Sequence, residues 1–122
     1  MTDSRTKGQA GEREIATILR DLTGWQIKRK CRQHPGDSDL EGIPGWSVEV
    51  KRHASIDRGD IRRFWVQACR QAQNGDTPVL FYRRDRDDWR AVWPSGDSLR
   101  SDYEWTLEAS PAVWAEYARE RL

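Results

Sequence analysis

The apolar positions Ile15, Ile18, Leu19 and Leu22 fall on one side of a 3.6-residue period, which predicts a helix from Lys7 to about Leu22, stopped at Gly24. The period then shortens to two. Trp25, Ile27 and Arg29 alternate with Gln26, Lys28 and Lys30, as expected of a first strand with a basic face. A loop from Cys31 to Ser38 delivers the chain to Asp39. From Asp39 to Lys51 the pattern reads as two strands joined through Ile43-Pro44-Gly45. In the second strand Trp46, Val48 and Val50 share one face, while Ser47, Glu49 and Lys51 share the other. A second helix is expected from about Arg58 to Gln73, burying Ile61, Phe64, Trp65, Ala68 and Ala72 and ended by Asn74-Gly75-Asp76. Pro78 to Tyr82 is a short apolar run suited to a central strand, followed by a turn at 85–87 and a strand from Asp88 to Trp93. Beyond Pro94 the pattern weakens. Tyr103 to Leu107 reads as a further strand, and Ser110-Pro111 as the cap and first position of a closing helix through Leu122. The predicted order is α-β-β-β-α-β-β with a C-terminal strand and helix, an α+β arrangement.

With 122 residues, the chain is expected to form a single domain, 1–122, with a core at about 7–93 and an extension at about 94–122. Charged residues make up 34%, so the core leans on aromatics, among them seven Trp. The formal net charge of +1 excludes little by itself. Its distribution is more informative: residues 94–122 hold three Arg against six Asp/Glu, a net −3, which leaves +4 on residues 1–93. Basic clusters stand at Lys28-Arg29-Lys30 with Arg32, at Arg52 and Arg58, at Arg62-Arg63, and at Arg83-Arg84 with Arg86. Such clusters serve either as phosphate contacts or as solvated faces. Cys31 and Cys69 are too few for a disulfide framework, and Cys31-x-x-His34 is half a zinc site without a second half nearby. No apolar run approaches membrane length, and Met1 to Lys7 lacks a signal-peptide pattern. The expected location is therefore the cytoplasm.

The second face of the strand ending in Glu49-Val50-Lys51 raises a chemical question, because a half-buried strand does not need a carboxylate beside an ammonium. A two-residue Pro44-Gly45 loop pairs Asp39 with Val50 and turns its carboxylate away. Pro-Gly prefers a type II turn, which suits tight hairpins poorly, and a three-residue loop instead sets Asp39 opposite Glu49. Two carboxylates that close repel unless a cation lies between them, and oxygen-only ligands suit a hard ion such as Mg²⁺. Glu12 lies near the edge of the inward stripe of the first helix, and Glu14 on its more solvated side. Taken alone, Glu12 reads as a first-turn acid favoured by the helix dipole.

Together these residues resemble the PD-(D/E)XK nucleases. Asp39 stands at the start of the second strand, Glu49-x-Lys51 on the third, and Ser38 where the family has Pro. Lys7-Gly8-x-x-x-Glu12-Arg13 resembles the opening of archaeal-type and phage-encoded Holliday-junction resolvases. Trp65-x-Gln67-Ala68, Pro78-Val79 and the Arg83-Arg84 to Trp89 segment resemble small phage endonucleases. The resemblance covers residues 7 to about 93. It implies a restriction-endonuclease-like αβββαβ core, with a central mixed sheet flanked by helices.

It also implies roles. Asp39, Glu49 and the Val50 carbonyl would hold Mg²⁺, for which Mn²⁺ would substitute, and Glu12 would complete the cluster directly or through water. Asp37 is a rival ligand. Lys51 would orient the attacking water or stabilise developing charge, and Gln67 would stand near the metal, although a surface residue beside the buried stripe looks the same. Lys28, Lys30, Arg52, Arg58, Arg62 and Arg83 would contact DNA phosphates. The implied activity is Mg²⁺-dependent hydrolysis of branched DNA by a Holliday-junction resolvase in a bacterial or phage-infected cell, leaving 5′-phosphate and 3′-hydroxyl ends. Two symmetric cuts call for a C₂ homodimer, with helix 2, Trp105 and Trp114 as candidate interface. The alternatives are a nicking or flap endonuclease, and a DNA-binding module that keeps the fold without the chemistry.

Overall fold

The computed structural model describes residues 4–31, 37–72, 75–96 and 102–122. The elements are α1 (Ser4–Thr23), β1 (Lys28–Arg29), β2 (Leu40–Glu41), β3 (Trp46–His53), α2 (Arg58–Gln71), β4 (Thr77–Arg84) and β5 (Arg90–Pro94). A 3₁₀ turn (Tyr103–Trp105), β6 (Thr106–Ala109) and α3 (Pro111–Glu120) follow. The fold is mixed α+β: β3 and β4 run parallel through the α2 crossover, β5 and β6 add antiparallel, and the sheet order is β3-β4-β5-β6. Strand alternation divides the side chains into two layers. Val48, Val50, Val79, Phe81, Ala91 and Trp93 pack on one face against Ile15, Ala16 and Leu19 of α1 and Trp114, Ala115 and Ala118 of α3. Leu80, Tyr82 and Val92 pack on the other against Ile61, Trp65 and Ala68 of α2. A Cβ on Gly11 would stand 2.8 Å from Arg52 Cβ, so the glycine lets α1 lie directly on β3.

Several expectations change. α1 begins at Ser4, which puts Glu12 in its third turn rather than its first, and no acid occupies the first turn. The helix-dipole reading of Glu12 therefore fails. The first strand shrinks from Trp25–Lys30 to Lys28–Arg29, because β2 offers only Leu40–Glu41 to pair with it. The alternation itself survives, with Ile27 buried and Gln26 and Lys28 exposed. α2 stops at Gln71 instead of Gln73. Its start is fixed by a capping box not foreseen, in which Asp57 accepts from the Asp60 N–H and Asp60 from the Asp57 N–H. Asn74 and His34 lie outside the described residues. The strand expected at Tyr103–Leu107 begins only at Thr106, and α3 ends at Glu120. Trp114, a candidate interface residue, is fully buried, with its ring edge-on to Trp46 and Phe81. It is core, and α3 covers the sheet. Among the described residues, no helix is long and apolar enough to cross a membrane.

Candidate active site

The expected β2–β3 hairpin ladder does not form. Ile43 to Trp46 is a type II-like turn, with the Trp46 N–H on the Ile43 carbonyl (3.3 Å) and Gly45 at φ +80°, as Pro-Gly prefers. Before that turn the chain diverges to pair with β1, and among the described residues Ser38 and Asp39 bond to the outer edge of β3. The Asp39 N–H donates to the Val48 carbonyl (2.8 Å), the Val48 N–H to Ser38 Oγ (2.8 Å), and the Val50 N–H to Asp39 Oδ2 (2.8 Å). Two side chains thus do for this edge what a neighbouring strand would do. Ser38, at the position where the resembled family has Pro, supplies the acceptor for one of those amides, which a Pro side chain lacks. That contribution was not read from the sequence.

The result is a cavity of about 320 Å³ at the β3 edge, lined by Gly8 and Glu12 of α1, Asp39, Glu49 to His53 of β3, and Gln67 and Gln71 of α2. The structure brings Glu12, Asp39, Glu49, Val50, Lys51 and Gln67 together in it. Asp37 lies outside this lining, with its carboxylate 3.6 Å from Lys30 Nζ. Asp39 and Glu49 are both buried. Burial, with Glu49 and Glu12 nearby and against the Val50 N–H, raises the Asp39 carboxyl to about 7. Burial also raises Glu49, opposed chiefly by Lys51, whose Nζ stands 3.2 Å from Glu49 Oε1. Glu49 Oε2 is buried and has no hydrogen-bond partner among the described residues. An orphaned carboxylate oxygen beside a second carboxylate is costly by itself and suits a hard cation.

Glu12 takes part differently from expectation. Its Oε1 accepts from Arg29 Nε (2.7 Å), so a guanidinium already neutralises it. Among the described residues no three His, Cys, Asp or Glu side chains form a ready metal cage. Asp39, Glu49 and Val50 line the cavity together. Arg29 was missed as a site residue, although its alternation with Ile27 already turned it inward. Phe64 was read only as core. It lies 5.3 Å from Lys51 Nζ and stacks on His53 at 5.5 Å, holding both at the cavity wall. Burial and then Lys51 lower the His53 pKa, against the pull of Asp60.

Most of the basic residues expected on phosphates are held in ion pairs. Arg52 and Lys7 clamp Asp85, Arg83 binds Glu14 (3.0 Å) and the Asp87 carbonyl (2.7 Å), and Arg62 binds Glu104 (2.5 Å). Lys28 and Lys30 lie 3.6 Å from Glu41 and Asp37. Arg58 lines a separate cavity of about 360 Å³ with Tyr82, Arg84, Arg90, Tyr103 and Glu108, on the other flank of α2. Arg52 alone of the six lines the carboxylate cavity, and its charge is engaged.

Comparison with known proteins agrees with this architecture. Residues 3–118 match the family described as "Phage putative PDDEXK endonuclease". Protein D14 of Escherichia phage T5 is 26% identical over 119 aligned residues, which cover 80% of this chain and 74% of that protein. No solved structure matches. The match spans every element from α1 to most of α3, so the chain belongs to this phage PDDEXK endonuclease family, and with it to the PD-(D/E)XK superfamily.

Proposed function

We propose that the chain is a divalent-metal-dependent DNA endonuclease acting on branched DNA, with the four-way junction as its first candidate substrate. The observation that carries the catalytic part is the buried Asp39–Glu49 pair, with one Glu49 oxygen unpartnered and the other on Lys51. The donor set is all oxygen. Asp39, Glu49 and the Val50 carbonyl hold Mg²⁺ or Mn²⁺ in this reading, and Glu12 supports the cluster from its Arg29 pair. A bound divalent ion supplies electrophilic stabilisation of the phosphate and acidifies water at neutral pH.

The other steps belong to the protein. Asp39 accepts the Val50 N–H and so fixes the orientation of the neighbouring peptide. Lys51, held between Glu49 and the Phe64 ring, either orients the attacking water or stabilises charge on the phosphate as the bond breaks. Gln67 closes the α2 side of the cavity and is suited to hydrogen-bond water or a phosphate oxygen there. The junction preference rests on the resemblance of the Lys7 to Arg13 segment to resolvases, and it requires a C₂ dimer.

Labelled four-way junction, flap, nicked and linear duplex DNA, each with Mg²⁺ or EDTA, test this with Glu49→Ala beside the wild type. Paired symmetric cuts in the junction, lost with EDTA and with the variant, are expected. Cuts in flaps or linear duplex alone keep the catalytic assignment and move the substrate to the nicking or flap alternative. Binding without any cut leaves a DNA-binding module.

A further inference from the structure

The outer face of α2 carries a third cavity, of about 410 Å³, lined by Arg62, Arg63, Val66, Gln67 and Arg70. Gln67 also lines the carboxylate cavity, so one side chain forms a wall common to both. The helical period explains the arrangement. Ile61, Trp65 and Ala68 face the sheet, Gln67 and Gln71 turn toward β3, and Arg63, Val66 and Arg70 point away from the sheet. Among the described residues, no acidic side chain lines this outer cavity. Arg70 makes no ion pair among the described residues. Arg62 pairs with Glu104 and lies over the Tyr103 ring, and Arg63 pairs with Asp60; both guanidinium side chains are largely exposed, so these pairs contribute little.

We infer that this face of α2 seats a nucleotide of the DNA strand adjacent to the scissile phosphate, and that Arg63 and Arg70 bind its backbone. The inference rests on the proposed nuclease function and adds the path of the strand. A planar guanidinium matches a phosphate in a bidentate contact. Val66 and the aliphatic stems of the arginines form an apolar floor for a sugar or base face, and guanidinium planes also stack on bases. An apolar floor with a cationic rim, sharing the Gln67 wall with a cavity rich in carboxylates, fits a polyanion whose phosphates alternate with apolar rings. The neighbouring wall, Gln67, then lies between one phosphate on the arginines and the next at Glu49 and Lys51.

Fluorescence anisotropy with labelled four-way junction and single-stranded DNA in EDTA, between about 50 and 200 mM salt, tests this without cleavage. The variants are Arg63→Ala/Arg70→Ala and Val66→Glu, all on the outer face of α2, with melting followed by circular dichroism. Arg119→Ala, exposed on α3 across the sheet, is the control. The double variant is expected to raise Kd about tenfold or more and to flatten the salt dependence by about one to two ions. Val66→Glu is expected to weaken binding about tenfold, and Arg119→Ala to leave it unchanged. Wild type that binds DNA while both α2 variants match it overturns the path alone. An equal loss with Arg119→Ala also overturns it, as does unchanged DNA binding with altered sedimentation, which would give this face to a protein contact. Wild type that binds no DNA in EDTA overturns the path, while cleavage of the junction with Mg²⁺ decides the proposed function separately.

Discussion

Glu49 and Glu108 stand in one row across the sheet, Glu49–Leu80–Val92–Glu108, on the face that packs against α2. Leu80 and Val92 are buried between them beneath the helix. The two carboxylates are treated in opposite ways. Glu108 Oε2 accepts from the Tyr82 hydroxyl (2.8 Å) and Arg90 Nε (3.3 Å), and its Oε1 accepts from the Tyr103 hydroxyl (3.2 Å). Burial and Glu108 push the Tyr82 hydroxyl well above its ordinary pKa, so it stays a donor at any physiological pH. Glu49 has one donor, Lys51, an orphaned second oxygen, and another buried carboxylate as neighbour. A satisfied network at the partly exposed rim of the sheet serves the fold. A pair of like charges left short of donors lowers stability unless something else binds there.

The largest expected difference comes from exchanging the two acids. Glu49→Gln should lower the cleavage rate by about a thousandfold, whereas Glu108→Ala should leave it near wild type, measured on the same labelled DNA. Equal losses in the two variants would erase the distinction. Lys51→Ala should lower the single-turnover rate by about a hundredfold and change the Mg²⁺ concentration dependence far less. An unaltered rate would remove the ammonium from the mechanism. The converse effect at Glu108 is on stability: Glu108→Ala should cost about 1–2 kcal/mol in urea unfolding, because two hydroxyls and Arg90 lose an acceptor. The same comparison has a pH dependence. With the folded-state pKa of Asp39 raised from 3.8 to about 7, the folded chain binds a proton that the unfolded chain has released, throughout that window. The associated stability is complete below about pH 4 and lost as pH rises through 7. Tm of metal-free protein should therefore fall between pH 5 and pH 8, fall less in Asp39→Asn, and fall as in wild type in Glu108→Ala. A Tm that rises over this range in wild type would contradict the burial argument.

Local periodicity carried much of the fold. The stripe of Ile15 and Leu19, the stripe of Ile61, Trp65 and Ala68, and the alternation of Trp89, Ala91 and Trp93 each satisfy a burial requirement that neighbouring residues set among themselves. The candidate site was legible in a different way. Glu49 and Lys51 occupy a strand face where burial alone does not ask for charge, and the family resemblance joined them to Glu12 and Asp39. What escaped was the supporting chemistry. Ser38 on the Val48 amide, Arg29 on Glu12, and the Lys7–Asp85–Arg52 clamp join residues far apart in the chain through single polar contacts. Such contacts leave no period to read.

By itself the sequence determined which segments are helices and strands, which faces they bury, and which residue types are available for phosphodiester chemistry. Hydrophobic spacing and turn residues act over a few positions, so they can be read in place. Only the tertiary structure decided that the edge of β3 is completed by Ser38 and Asp39 instead of a hairpin ladder, and that Trp114 is core rather than interface. It also decided that the arginines of α2 divide between one flank, where Arg58 lies, and an outer face with Arg62, Arg63 and Arg70. Each of these outcomes is a competition among distant partners for the same backbone edge, apolar surface or charge. It is settled by geometry that exists only once α1, α2 and α3 have packed on the sheet.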